Sequence, residues 1–173
     1  MLNTDYKIEA IKVLLNEDCV LTRYYPLIPY KEMLVESLKK MGCDKKSDCM
    51  KLSDTSLLEA GLTDIEMVYL FKAFLGLYDI KLAKLKEIKA VCKEEEEIEA
   101  FRELYQLPGV KSTRASLYFK AGFRTLTDIA ISTPQEIIAK TERVIREENL
   151  DLKVPLLKEV KTHIAVAKAF TDF

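Results

Sequence analysis

Glycine and proline are scarce in this sequence. The 173 residues contain five of each, which is few for the many turns of a β-sandwich or a β-barrel. Long runs rich in Leu, Lys, Glu and Ala favour helices instead. With 49% apolar and 32% charged residues, the chain can bury a sizeable core beneath a charged surface. The composition predicts an all-α protein with one compact domain or two small ones.

The sequence also lacks targeting signals, membrane spans and metal-binding motifs. The N-terminus has no basic stretch followed by an apolar run, as a signal peptide would, and no apolar run approaches the ~18 residues of a membrane span. The four cysteines form no CxxC pair, and the single His163 does not complete a zinc set with them. We therefore expect a soluble cytoplasmic protein with reduced cysteines, no membrane partner, no metal and no cofactor.

Catalytic motifs are missing as well. The sequence contains no GxGxxG, Walker loop, GxSxG or HExxH. His163 lies one position away from the apolar stripe of the last predicted helix, so we interpret it as a packing residue rather than a general base. Cys92 precedes the acidic run 94–97, a setting that does not lower a thiol pKa. The sequence predicts a protein that is not an enzyme.

Capping residues, prolines and glycines divide the chain into helices. Thr4 is a suitable N-cap for the first helix, and Pro26 and Pro29 exclude a regular helix from the connector that follows it. Residues 81–105 lack both glycine and proline and predict one long helix, with the run 94–97 as a solvated bridge. The expected helices span residues 4–16, 31–41, 53–61, 63–78, 81–105, 112–121, a short stretch from 125, 133–148, and a last stretch from 155.

An internal repeat is visible at an offset of 80 residues. Residues 27–58 align with residues 107–138 without a gap, so that Gly42 pairs with Gly122 and Asp48 with Asp128. The predicted N-caps Ser53 and Thr133 also coincide. Since the glycine, the caps and the apolar positions match together, a duplicated helical unit is the simpler interpretation.

The second copy resembles a helix-hairpin-helix motif with its companion helices. The similarity is carried by LPGV at 107–110, AGF at 121–123, TL at 125–126, DIA at 128–130 and TPQE at 133–136. The chain as a whole resembles, more loosely over residues 27–173, an uncharacterised bacterial family (a domain of unknown function) built of two such units. The resemblance implies a fold rather than an activity.

The resemblance divides the chain into three parts. We expect an N-terminal helical unit with a degenerate helix-hairpin-helix over residues 1–80, a connecting helix over 81–106, and a helix-hairpin-helix unit with a terminal helix over 107–173. The expected fold is thus all-α, with two tandem helix-hairpin-helix (SAM-like) units joined by a long helix.

The turn at 107–110 is a candidate phosphate-binding site. A turn that feeds a helix N-terminus leaves backbone N–H groups unpaired, and the helix dipole adds positive charge there. Residues 104–127 contain four basic side chains and no acidic one, which favours binding to a polyanion. The candidate nucleic-acid-binding residues are Gly109, Val110, Lys111, Ser112, Thr113, Arg114, Lys120 and Arg124.

Two departures weaken this hypothesis. Lys111 occupies the position at which the motif has its second glycine, so close approach of a phosphate to the backbone is in doubt. The first copy has Ile28, Pro29 and Tyr30 at its turn, and Pro29 has no N–H to donate, so we interpret that copy as structural. Tyr118 and Phe119 are further candidates, as platforms for stacked bases, although helical spacing places at least one of them in the core.

Charge is divided unevenly along the chain. Residues 1–100 carry 15 basic and 19 acidic side chains, a net charge of −4, whereas residues 101–173 carry 12 and 9, a net charge of +3. Two hypotheses remain open. The protein binds DNA or another phosphate-bearing polymer without reading sequence, or it is a SAM-like interaction or scaffold module with a protein partner, since residues 51–77 loosely resemble such domains.

Overall fold

The computed structural model describes residues 5–78 and 82–171, with the side chains of residues 82–84 excepted. Its architecture is all-α, as predicted. The helices are α1 (Ala10–Leu14), a 3-10 helix (Thr22–Tyr30), α2 (Lys31–Lys40), α3 (Lys46–Met50), α4 (Asp54–Glu59), α5 (Ile65–Leu75), α6 (Leu82–Val91), α7 (Glu95–Leu104), α8 (Ser112–Lys120), α9 (Leu126–Ile131), α10 (Pro134–Glu147) and α11 (Leu157–Thr171).

Three of the predicted helix starts are confirmed by hydrogen bonds. The hydroxyl oxygens of Ser53, Thr125 and Thr133 each accept from the backbone N–H three residues later, at 3.1 to 3.2 Å. Gly42 and Gly122 end α2 and α8 with φ angles of 85° and 95°, a left-handed conformation that glycine adopts without strain.

The predicted continuous helix over 81–105 is wrong. α6 ends at Val91 and α7 begins at Glu95, because Glu94 adopts an extended conformation with φ −113° and ψ 151°. Glu95, Glu96 and Glu97 fill the first turn of α7, where carboxylates are stabilised by the positive end of the helix dipole. An acidic run that looks like a solvated bridge is therefore a helix start.

Three smaller predictions differ from the structure in detail. The first helix begins at Ala10 rather than at residue 4, and Thr4 lies outside the described residues. The helix expected over 63–78 is α5, which begins at Ile65; its N-cap is Asp64, whose carboxylate accepts from the N–H of Met67 at 2.9 Å. The connector that carries Pro26 and Pro29 forms 3-10 turns.

The short helix α3 was not predicted, and it strengthens the correspondence between the two copies. It begins 80 residues before α9, just as α4 begins 80 residues before α10. Asp48 accepts from two successive backbone N–H groups at 2.9 and 3.0 Å, and Asp128 accepts from the two equivalent groups at 2.9 Å. The N–H groups of Cys43 and Phe123 donate to the carbonyls of Leu38 and Tyr118 at 3.0 and 2.9 Å.

The last helix connects the two halves of the molecule. α11 packs on α9 and α10 of the second half and on α1 of the first. Phe170, near its end, contacts the rings of Tyr6 and Tyr78 at centroid distances of 5.8 Å each. The hydroxyl of Thr162 donates to the carbonyl of Asp18. One continuous apolar core therefore contains residues of both halves.

Candidate phosphate-binding site

The turn before α8 is fixed by its apolar neighbours. Leu107 and Val110 are buried at 1% and 2% exposure, and the N–H of Val110 donates to the carbonyl of Leu107 at 3.2 Å. Between them, Gly109 is exposed with a φ of 73°. A Cβ built at this position has no neighbour within 4 Å, so its backbone conformation, rather than crowding, makes glycine suitable here.

The N-terminus of α8 has no side-chain cap. α4, α5, α9 and α10 each begin with a Ser, Thr or Asp that accepts a backbone N–H, but the N-cap of α8 is Lys111, which cannot accept. The first hydrogen bond of the helix runs from the N–H of Ala115 to the carbonyl of Lys111 at 2.9 Å. The N–H groups of Ser112, Thr113 and Arg114 have no acceptor among the described residues.

A shallow depression of about 370 Å³ lies beside these N–H groups. Four of the predicted site residues line it together with one lysine that sequence analysis did not identify. The predicted ones are Gly109, Lys111, Thr113 and Arg114, the lysine is Lys153, and Leu152 and the acidic Glu159 complete the lining. Lys111 and Lys153 are exposed, and neither forms an ion pair with a residue that the structure describes.

The other basic side chains of residues 104–127 are paired with acidic residues from other parts of the chain. The Arg114 guanidinium contacts both carboxylate oxygens of Glu159 on α11, at 2.9 and 3.3 Å. Lys120 contacts Glu148 at 2.7 Å. The stretch 104–127 is free of acid in sequence, but in the folded protein its charge is partly neutralised by acidic residues that lie far away along the chain.

Lys120 and Arg124 do not join the depression. Lys120 is the last residue of α8, about 12 Å along the helix axis from its start at 1.5 Å per residue. Arg124 follows the helix, pairs with Glu96 of α7 and places its guanidinium 4.6 Å from the ring centroid of Phe119. The predicted cluster of eight residues is thus divided, with 109–114 at one end of α8 and Lys120 and Arg124 at the other.

The aromatic pair does not supply a free stacking surface. Tyr118 is fully buried, as helical spacing indicates for one of the two. Phe119 is half-buried between Phe101, at a centroid distance of 6.4 Å, and the guanidinium of Arg124. Base stacking on Tyr118 is therefore excluded, and stacking on Phe119 requires displacement of Arg124.

His163 contacts the turn from the protein interior. It is 1% exposed, and its Nε2 lies 2.9 Å from the carbonyl oxygen of Pro108 while its Nδ1 lies 2.7 Å from the hydroxyl of Tyr118. Since a carbonyl only accepts, Nε2 carries the proton and Nδ1 accepts from Tyr118. Burial lowers the pKa of His163 and raises that of Tyr118. The expectation that His163 is a packing residue is confirmed.

The cysteines are free thiols in the described structure. Cys43, Cys49 and Cys92 are buried, and Cys19 is half-buried. Burial raises the pKa of Cys92, and the nearby carboxylate of Glu97 raises it further. Within residues 5–78 and 82–171, no group of three His, Cys, Asp or Glu side chains is arranged to hold a metal, and no helix is both long and apolar enough to cross a membrane.

The comparison with protein families assigns the chain to a class without an established activity. Residues 55–170 match the model of a family described as Domain of unknown function (DUF4332). The chain therefore belongs to this family. The match includes α8 and its turn but begins at residue 55, near the end of the first copy (residues 27–58), so it covers less of the N-terminal half than the resemblance over residues 27–173 suggests. No curated protein and no solved structure matches the chain significantly.

Proposed function

We propose that this protein is a non-enzymatic helix-hairpin-helix protein that binds the phosphate backbone of nucleic acid without reading its sequence. The observation that carries the proposal is the uncapped start of α8. Three N–H groups there have no acceptor within the part of the chain that the structure describes, and they lie next to a glycine with positive φ and two exposed lysines, Lys111 and Lys153. A phosphate oxygen is the kind of acceptor that such a helix start favours.

The exposed face of α11 adds positive charge in the same half of the molecule. Lys158, Lys161 and Lys168 are all exposed, and none of them forms an ion pair with a described residue. Over ten residues these lysines span about 15 Å of helix. The one acid on α11, Glu159, is held by Arg114. Contacts between such lysines and phosphates release counterions and strengthen binding without sequence preference.

The ion pairs of Lys120 and Arg124 do not prevent a phosphate contact. Their side chains are 41% and 50% exposed, and exposed pairs of this kind contribute about 0 to 1 kcal/mol. A polyanion that neutralises several cations at once can therefore replace Glu148 or Glu96. Arg114 is different, because its bidentate contact with Glu159 is partly buried, so we assign it to positioning the turn.

The test is a fluorescence-anisotropy titration with duplex and single-stranded DNA at low salt. We expect dissociation constants below about 100 μM that weaken as salt is added, the range of non-specific binders. Lys111→Glu combined with Lys153→Glu should abolish binding. Lys51→Glu combined with Lys89→Glu makes the same change in net charge on exposed positions outside the site and should retain most of it.

Two results would contradict the proposal. One is the absence of binding at 100 μM protein in low salt. The other is an equal loss of affinity in both double variants, which would mean that net charge, rather than the start of α8, determines binding. Circular dichroism of each variant shows that the fold is retained, since all four lysines are exposed.

A second function, protein interaction, is favoured by the exposed face of α5. Ile65 and Tyr69 are 40% and 58% exposed, Ala73 follows at the same spacing of four residues and is exposed, and Leu77 is 40% exposed just after the helix. Residues four apart share one face of a helix, so these side chains form an apolar stripe on the segment that resembles SAM-like modules.

Light scattering coupled to size exclusion tests this second function as self-association. If the stripe mediates contact between two copies, the mass should rise with protein concentration, and Tyr69→Glu should restore the monomer. Val91→Glu, which also places a charge on an exposed apolar position, should leave association unchanged. A monomer at all concentrations would contradict the proposal.

A further inference from the structure

Two adjacent leucines project into solvent at the start of α11. Leu156 is 73% exposed, the largest value among the large apolar side chains of residues 5–78 and 82–171, and Leu157 is 46% exposed. A single exposed leucine is common on a protein surface, whereas neighbouring exposed apolar side chains indicate a contact surface. The leucine pair is therefore a candidate for contact with a ligand that removes it from water.

The backbone beneath the leucine pair is held by the core. Pro155, immediately before it, is buried, and Val160, in the first turn of α11, is fully buried. The N–H of Val160 donates to the carbonyl of Leu156 at 3.0 Å, so Leu156 occupies the N-cap position of the helix. α11 in turn packs on α1, α9 and α10. The two leucine side chains therefore project from a fixed support.

Lysines flank the leucine pair on both sides along the chain. Lys153 precedes Leu156 by three residues, which is at most about 11 Å between Cα atoms. Lys158 directly follows Leu157, and Lys161 lies one turn later on the same face of α11. All three lysines are exposed, and none forms an ion pair with a described residue. The apolar side chains thus lie between cations that are available to phosphates.

The leucine pair adjoins the proposed phosphate-binding site. Lys153 shares the depression at the start of α8 with Lys111. Of the acidic residues nearby, Glu159 is held by the bidentate contact with Arg114, and Asp151 precedes Lys153, on the side away from the leucines along the chain. A nucleic-acid duplex has a matching arrangement, because the apolar faces of its stacked base pairs lie between two rows of phosphates.

We propose that the leucine pair inserts between two base pairs of a duplex while the lysines around it contact the phosphates. This inference rests on the proposed binding of nucleic acid and goes beyond it, because phosphate contacts alone leave the base stack intact. Apolar side chains that act as such wedges partly unstack a base step and kink the duplex by about 20° to 90°. Unstacking costs less where the duplex is already interrupted, so bulged DNA should bind more tightly than intact DNA.

Fluorescence energy transfer between the two ends of a DNA duplex measures the kink. The probe is a duplex of about 20 base pairs with a donor dye at one end and an acceptor dye at the other. The same duplex with a small bulge at its centre is the second probe. We expect the protein to increase energy transfer in the intact duplex, and to bind the bulged duplex at least about fivefold more tightly.

Leu156→Ala combined with Leu157→Ala removes the wedge and leaves every lysine in place. This variant should bind the intact duplex without increasing energy transfer, and its preference for the bulge should fall below about twofold. The salt dependence of its affinity should not change, because the phosphate contacts remain. Met50→Ala combined with Val91→Ala is the matched control, since these side chains are 51% and 47% exposed on α3 and α6, and should behave as the unmodified protein does.

Two results would overturn the wedge and leave the proposed phosphate binding in place. One is DNA binding by the unmodified protein with no increase in energy transfer and no preference for the bulge. The other is an unchanged kink and preference in the leucine double variant, which would assign the leucines to a different contact, such as a protein partner. The absence of binding to any DNA would instead overturn the proposed function, and the wedge with it.

Discussion

His163 has a hydrogen-bond partner on each ring nitrogen and is almost completely buried. Its pKa is lowered from 6.5, first by burial, and that effect exceeds the opposing influence of the Pro108 carbonyl and of Glu159. The cation of Arg114 lowers the pKa further. The folded protein therefore favours the neutral imidazole over a pH range in which the unfolded chain binds a proton.

The sign of the resulting pH dependence follows directly. The contribution of His163 to the free energy of unfolding is fully present above pH 6.5. It is lost as the pH falls from 6.5 towards the lowered pKa of the folded state, by at most about 1.4 kcal/mol per pH unit. Urea unfolding at pH 7.5, 6.5 and 5.5 measures it. His163→Gln, which cannot titrate, should show a shallower decline over this range, and parallel curves for the two proteins would refute the assignment.

Gly42 and Gly122 provide a paired test of the two copies. A Cβ at either position has no neighbour within 4 Å, so alanine would introduce only the strain of a positive φ, about 1 to 2 kcal/mol. We expect equal losses of stability in Gly42→Ala and Gly122→Ala, measured by chemical unfolding. Gly76→Ala is the control, because Gly76 has a φ of −89° and should change stability by less than about 0.5 kcal/mol. Unequal losses would indicate that the two turns differ.

At the scale of the helix, the break between α6 and α7 gives glutamates only two residues apart different roles. The carboxylate of Glu97 accepts from the N–H of Lys93 at 3.2 Å, ahead of the first turn of α7, whereas Glu99 is exposed within the helix. Glu97→Ala should lower stability by about 0.5 to 1 kcal/mol through the lost contact and dipole interaction. Glu99→Ala should have little effect or be slightly stabilising, because alanine favours helix.

Thermal unfolding of the two variants measures this difference. In one continuous helix over 81–105, both substitutions would be neutral or favourable. Equal stability of the two variants would therefore contradict the break. The comparison uses two changes of the same chemistry, so a general effect of net charge is the same in both.

Local signals account for the helix boundaries that the sequence predicts correctly. Ser53, Thr125 and Thr133 act within three residues of their partners, so their pattern is readable in the sequence. The acidic run 94–97 was wrongly predicted to lie inside one long helix, because its role as a helix start depends on the extended conformation of Glu94. The absence of glycine and proline does not exclude such a break.

The candidate site could be predicted only in part, for a related reason. Gly109 and Lys111 are adjacent in sequence, but Arg114 and Glu159 are 45 residues apart and Arg124 and Glu96 are 28 apart. Pairing over such separations depends on how the helices pack, and one sequence contains no signal for it. Sequence analysis did not identify Lys153 as a site residue for the same reason, since Lys153 reaches the depression from the segment before α11.

At the scale of the molecule, α11 should make the two halves unfold together. Phe170 contacts Tyr6 and Tyr78 of the first half, so Phe170→Ala should lower stability by about 3 to 5 kcal/mol. Leu157→Ala on the same helix is the control, since Leu157 is 46% exposed, and should have a small effect.

Circular dichroism and the reactivity of Cys43 and Cys49 with a thiol reagent measure this coupling along a urea gradient. The buried thiols report on the first half, and the circular dichroism signal reports on all helices. We expect one midpoint from both probes, as in a two-state transition. Separate midpoints would show that the halves are independent domains.

The position of α11 also bears on how the protein is made. Because α11 is synthesised after every other helix described here and packs on α1, the part of α1 that α11 covers remains exposed until α11 has been made. The first half can form its local helices as it leaves the ribosome, but Tyr6 and Tyr78 meet Phe170 only after the segment between them and α11 has been synthesised. The apolar core shared by the two halves therefore closes only once α11 has emerged, and nascent chains that stop before α11 should depend on chaperones.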